Sequence, residues 1–358
     1  MSINGLTENV AAESQAAAQP RASLHKRAKQ IPGSVKAIAQ IVIGVGALVV
    51  LIAKSNPHEL ATAIRGTHFG YLPLSLAATL AVLWLMAYRW SVILSARGTR
   101  ISTGNLFVYY LIGSFFSNFV PGGSISIDVI RLVYVDKHVR DKAYVLTTLL
   151  YDRFVGLFVL LLIGLGAALA SRNYLPAGAL THLIEVILVS TVLVSAFLLS
   201  QSLSRRLSRL ALFVGDKIGA SKIAGAAARS LDAMSEIRAR KSIIASTVIV
   251  SVLTRLAWTL GFYAIAVAMD LPVSLALIFA FISIVDLIRQ LPVTPNGLGI
   301  RETALVLLLG GVGISKAQAL MFSFLSFAPL LLCAIAGGII YVVRSRTQRG
   351  AESETAQV

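Results

Sequence analysis

The chain has 358 residues, 56% of them hydrophobic and only 13% charged, with a mean hydropathy of +0.80. An average soluble domain carries roughly 25% charged residues, so composition argues against a soluble globule and leaves a polytopic helical membrane protein. The formal net charge of +16 would suggest a polyanionic partner in a soluble chain. Here it must sit outside the lipid core and so reports topology, and no nucleic acid is expected.

Residues 1–34 are polar, rich in Ala, Ser and Gln, and end in the basic group Arg21, Lys26, Arg27 and Lys29. They read as a disordered cytoplasmic tail. No apolar run begins before about Val35, which does not fit a cleaved signal peptide. A hydrocarbon core about 30 Å thick needs roughly 20 apolar residues as helix. Six segments meet that length: 35–53, 71–94, 144–170, 180–200, 242–269 and 317–343. Two further apolar stretches are interrupted. Residues 105–120 run into Pro121-Gly122-Gly123 and resume as SISIDVIRLVYV, and residues 274–291 run into PVTPNGLG and resume as IRETALVLLLGG. Each pair is either re-entrant or two short spans, and both choices leave the termini on one side.

With that layout, 23 of the 32 Lys and Arg residues fall on the side of the termini, four on the other side and five at membrane depth. The positive-inside rule makes the first side cytoplasmic, so the expectation is a multi-pass protein of the bacterial inner membrane with both termini in the cytoplasm. The order span, span, interrupted pair, span occurs twice with reversed direction. The predicted fold is therefore all-α, an inverted repeat of six full spans plus two Pro/Gly-interrupted helix pairs. Its halves cover 35–170 and 180–343, followed by a cytoplasmic tail at 344–358. Paired broken helices in corresponding positions point to a transporter binding site.

Each break is followed by a new helix N-terminus, near Ser124 and near Gly299, where free N–H groups and the helix dipole favour an anion. Main-chain groups at Gly122, Gly123, Asn296 and Gly297 are the candidate phosphate ligands. Asp152 and Arg153 lie about 12 Å into their span at 1.5 Å per residue, a depth at which charges mark function by default. A structural ion pair would explain them as well. Asp128 and Arg131 have i,i+3 spacing on the resumed first helix and also fit an interfacial pair. Asp286 and Arg289 repeat that spacing before the second break, and Arg301 and Glu302 follow it. Arg89 beside Trp90 reads as a snorkelling residue at a span end, and Arg255 beside Trp258 carries a weaker signal. The loop 201–241 sets Leu203, Leu207, Leu210 and Val214 at helical spacing beside Arg205, Arg206 and Arg209, which predicts an amphipathic helix on an anionic leaflet. The only cysteine, Cys333, precludes an intrachain disulfide. The five histidines, His25, His58, His68, His138 and His182, are scattered. No metal, cofactor or catalytic residue is expected.

The segments FSNFVPGGSISIDVIRLVYV, LLYDRFVGLFVLL and LIRQLPVTPNGLGIRETALVLLL resemble the flippase-like transmembrane domain of lysylphosphatidylglycerol synthases and their stand-alone relatives, over about residues 35–343. Two positions depart from the family pattern: Ser126-Ile127 stands where a further Gly-Gly usually precedes the acid, and Thr303 where Gly often follows Arg-Glu. The resemblance implies movement of an anionic or aminoacylated phospholipid, or a lipid-linked envelope precursor, between leaflets. In full-length synthases a soluble domain transfers the amino acid. With about 15 residues after Val343, aminoacyl transfer is not expected here, and the chain is not expected to be an enzyme.

The reading that results is a lipid flippase whose broken helices form a midplane headgroup site. Arg153, Arg289 and Arg301 would supply countercharge, and Asp152, Asp286 and Glu302 would pair with them or carry a coupling proton. The alternative is a non-transporting membrane partner that recruits an envelope-synthesis enzyme through the loop 201–241. A lipid-modifying enzyme is a third reading, disfavoured by the missing HExxH-like spacing.

Overall fold

The computed structural model describes residues 57–119, 124–136, 139, 141–171, 239–290, 294 and 297–355, with isolated positions at 182, 185, 189, 193, 234, 236 and 237. Among the described residues the structure is helical with no strand. Nine α-helices are described in chain order: α1 Pro57–Arg65, α2 Leu72–Leu94, α3 Thr103–Phe119, α4 Ser124–Asp136, α5 Lys142–Ala170, α6 Lys241–Ala268, α7 Leu275–Arg289, α8 Ile300–Gly310 and α9 Lys316–Thr355. Four segments are long and apolar enough to cross a membrane: Phe69–Arg97, Ala143–Ala170, Lys241–Ala268 and Lys316–Ser345. They coincide with four of the six spans expected from sequence. The span expected at 35–53, nearly all of that at 180–200, the tail 1–34 and most of the loop 201–241 lie outside the described residues.

Local chemistry explains the helix boundaries. Asp141 caps α5, its Oδ1 accepting from the Tyr144 N–H at 3.1 Å, and Ser274 caps α7, its Oγ accepting from the Leu277 N–H at 3.2 Å. Such caps satisfy donors that the first helical turn leaves free. Pro73 sits in the first turn of α2, where its missing N–H costs nothing. α9 continues past the apolar run, through most of the expected tail at 344–358, to Thr355. The residues there, SRTQRGAESET, include good helix formers and no proline.

The helices pack in matched pairs. α2 lies against α6, and α3 against α9 as α7 lies against α5. Likewise α2·α3 matches α6·α7, α3·α4 matches α7·α8, α4·α5 matches α8·α9, and α2·α5 matches α6·α9. Two apolar cores follow this division, one around Trp90, Tyr110, Tyr144 and Tyr151, the other around Phe262, Phe281 and Phe322. α2 and α6 are antiparallel. At one end the His68 N–H donates to the Ala268 carbonyl at 2.7 Å, and His68 Nε2 lies 3.1 Å from Asp270 Oδ2. At the other end Arg97 donates to both oxygens of Glu236, at 2.7 and 2.9 Å, and to Asp141 at 2.8 Å. The segments that charge counting places together are thus together in space.

At Gly337 α9 runs directly against the backbone of α3: a Cβ there would stand 1.9 Å from the Leu111 carbonyl oxygen. Missing side chains let two backbones touch, a common device where lipid offers no hydrophobic drive for helix association.

Candidate functional site

Two sets of buried ionisable side chains lie inside the bundle. The first is centred on Asp152 of α5. Its Oδ1 accepts from Arg89 Nε at 2.6 Å, and its Oδ2 from an Arg131 terminal nitrogen at 3.1 Å and from the Tyr110 hydroxyl at 3.3 Å. Arg131 of α4 also donates to Asp128 at 3.2 Å, and Arg153 donates to the other Asp128 oxygen. The Arg131 guanidinium lies over two rings, 4.0 Å from the Trp90 centroid and 4.5 Å from that of Tyr110. Aromatic faces stabilise a desolvated cation. Arg89 donates as well to Ser251 Oγ of α6 at 2.9 Å, and Gly156 leaves room for its head: a Cβ there would be 3.3 Å from a guanidinium nitrogen.

The expectation for Arg89 is corrected here. It is 5% exposed and inside the bundle, so it does not snorkel. Placement near a span end obscured the fact that its face points at α5 and α6, and one ion pair with a buried acid outweighs the reach to water. Asp152 and Arg153, adjacent in sequence, face different partners. Asp152 is buried at the centre, whereas the Arg153 side chain is 36% exposed at the margin.

The second set is centred on Asp286 of α7. Its carboxylate accepts from Arg255 and Trp258 of α6, the latter at 2.9 Å, and from Arg289 at 3.1 Å. Beyond the break, Arg301 donates to Glu302 at the start of α8, and its guanidinium lies 4.2 Å from the Phe327 ring centroid on α9. Gly297 rests on the Arg289 stem, since a Cβ there would be 2.7 Å from Arg289 Cγ. Arg255 therefore belongs to the site, although its sequence signal was the weaker one. Its proximity to Asp286 is a tertiary fact without a local trace.

The anion-binding N–H groups expected after the second break are engaged in this structure. The Gly297 N–H donates to the Thr294 carbonyl at 3.3 Å, and the Gly299 N–H to Glu302 Oε2 at 2.6 Å. A carboxylate at the third helical position reaches back to the entry of its own helix and serves as the anion. Gly297 and Gly299 have φ of +74° and +80°, which a residue with a Cβ adopts at a cost. Gly122, Gly123 and Asn296 lie outside the described residues, so the structure brings together Asp128, Arg131, Asp152 and Arg153 in one set and Asp286, Arg289, Gly297, Arg301 and Glu302 in the other.

Among the described residues each set brings together three arginines and two acids. A sequence signal for this pairing exists. Each break reads Pro, any residue, Gly, four residues, acid, from Pro121 to Asp128 and from Pro295 to Glu302. Among the described residues no group of three or more His, Cys, Asp or Glu side chains is arranged to hold a metal.

Comparison with known proteins agrees with this architecture. The family described as the lysylphosphatidylglycerol synthase TM region matches residues 37–337. A UPF0104 membrane protein of Methanothermobacter thermautotrophicus is 23% identical over 293 residues, which is 77% of this chain and 86% of the relative. With four segments of spanning length, the match makes this a multi-pass membrane protein.

Proposed function

The chain belongs to the lysylphosphatidylglycerol synthase transmembrane-region family, and from that premise we propose that it moves a lipid with an anionic or aminoacylated headgroup between the leaflets of the inner membrane. The observation that carries this reading is the pair of largely buried sets, each with three arginines and two acids among the described residues. Burying ionised groups is costly unless they are paired, and arginine-rich sets inside a membrane bundle suit a phosphate headgroup. Covalent chemistry is not required, so the role is transport without aminoacyl transfer.

The matched helix contacts and the antiparallel α2 and α6 support an inverted repeat of six spans, with the broken pairs α3–α4 and α7–α8 in corresponding positions. In such folds the substrate site lies between the repeats and alternating access comes from one repeat moving against the other. The excess of Lys and Arg on the side of Arg97 and Asp141 supports cytoplasmic termini.

The test is reconstitution in liposomes with headgroup-labelled phosphatidylglycerol and its lysylated form. Protein-containing vesicles should expose inner-leaflet label to an external quencher faster than empty ones, and Asp286→Ala should slow that exposure. No acceleration for any anionic or aminoacylated lipid, with folded protein verified, overturns the reading.

A further inference from the structure

We propose that Glu302 stands in for a phosphate oxyanion at the head of α8, and that a phosphate taking its place drives uptake of one proton onto Glu302. The proposal rests on the reading of the protein as a carrier of anionic headgroups and adds what accompanies the anion.

Glu302 is completely buried, with one carboxylate oxygen on the Gly299 N–H and the other on Arg301. Those are the donors that a helix N-terminus offers to a phosphate. Their capacity exceeds what one carboxylate uses. Arg301 has a side chain 5% exposed, and its Nε has no hydrogen-bond partner among the described residues. Unmade hydrogen bonds on buried groups are costly and call for an explanation. A tetrahedral anion with several acceptor oxygens supplies one, because it can use more donors than a planar carboxylate does.

Displacement of Glu302 has a chemical consequence. Two anions cannot both remain ionised in contact within a buried site, and a carboxylate stripped of its donors is neutralised by a proton. The charged groups around it determine which acid accepts that proton. From α7 come Arg289 and Asp286, both within electrostatic reach of Arg301. Asp286 keeps its own donors, Arg255, Arg289 and Trp258. From α9 comes the Phe327 ring under Arg301. Glu302 is thus the acid that loses its partners, and as a neutral carboxyl its O–H donates to a phosphate oxygen. No bond to the phosphate forms or breaks, and the proton comes from water.

The test uses full-length protein in detergent micelles, titrated calorimetrically with dihexanoyl phosphatidylglycerol and separately with dimethyl phosphate, in two buffers of different ionisation heat. Native protein should take up about one proton per phosphodiester, with affinity falling about tenfold per pH unit as pH rises through the linked range. Glu302→Gln should bind without uptake. Tighter binding of the lipid assigns the anion to a headgroup and equal binding assigns it to a free phosphate; both support the exchange. Binding by native protein without proton uptake, uptake that persists in Glu302→Gln, or no binding of either probe overturns it. Should the variant not fold, the native heats and pH slope decide. Lipid movement in liposomes is a separate readout: transport without proton uptake sinks this inference alone, and proton-linked binding without transport sinks the transport reading alone.

Discussion

Ser251 and Arg255 stand one turn apart on α6, and each holds a different charged set. Ser251 accepts from Arg89 of the first, and Arg255 donates to Asp286 of the second. The two contacts are about 6 Å apart along one helix axis. Ser251 is also tied to its own helix, its hydroxyl donating to the Thr247 carbonyl at 2.6 Å. A movement of α6 relative to α2 and α7 would therefore disturb both sets at once, which makes this helix the natural mechanical link between the halves.

Within the first set, depth separates residues that sequence placed side by side. Asp152→Ala leaves Arg89 and Arg131 buried without their shared acid, and breaking a buried pair in this way costs about 3–5 kcal/mol. Arg153→Ala removes a partly exposed cation at the margin and leaves Asp128 its hydrogen bond from Arg131, so it should cost less. Thermal unfolding in detergent should show a large loss for the first and a small one for the second. Equal losses would mean that Asp152 is not the hub.

The contact between Gly337 and Leu111 predicts a steric effect. Gly337→Val must push α9 from the α3 backbone, since the first carbon already meets a carbonyl at 1.9 Å. Overpacking costs about 1–3 kcal/mol where neighbours yield, and a backbone yields less than a side chain. Gly166 of α5 has open space at its Cβ position, so Gly166→Ala should be neutral or slightly stabilising through helix propensity. The unfolding midpoints of the two variants check the contrast.

Glu236 provides a pH-dependent clasp outside the spanning segments. The hydrogen bond from Arg97 holds its carboxyl below the usual glutamate value. A depressed acid contributes stability that is fully present above its unfolded value, about 4.3, and is lost as pH falls through the lower folded value. Protection factors of the Glu236 and Ile237 amides, with intrinsic exchange rates divided out at each pH, should therefore be high at neutral pH and fall only in acid. Glu236→Gln should show low protection factors throughout.

Much of this architecture was legible in the chain. Four spans coincide with apolar runs, because bilayer thickness sets a length that composition must match. α3 and α4 lie on either side of one Pro/Gly cluster and α7 and α8 on either side of the other, and the i,i+3 pairs Asp128–Arg131 and Asp286–Arg289 form as helical spacing requires. Arg89 and Arg255 were undervalued for one physical reason. Neither has an acid on its own stretch of helix, so its partner comes from another helix and leaves no periodic signal. The capping role of Glu302 was hidden similarly. An acid three residues after Gly299 fits a capping pattern, but the adjacent Arg301 offers an equally local explanation, and only the geometry shows that the carboxylate serves both.

Gly297 and Gly313 together isolate the contribution of one side-chain contact. Both have positive φ, +74° and +85°, so alanine at either costs about 1–2 kcal/mol for the left-handed backbone. At Gly313 nothing lies within 4 Å of the added carbon, whereas at Gly297 it would stand 2.7 Å from Arg289 Cγ. Gly313→Ala should therefore lower stability modestly and leave lipid movement unchanged. Gly297→Ala should show a comparable backbone cost and in addition shift the Arg289 stem, loosening its 3.1 Å hold on Asp286. The expected signature is transport falling several-fold beyond what the loss of stability explains, measured in liposomes at matched amounts of folded protein. If the two variants transport alike, the contact between the break and Arg289 has no part in handling the headgroup, and the positive φ alone explains the glycine.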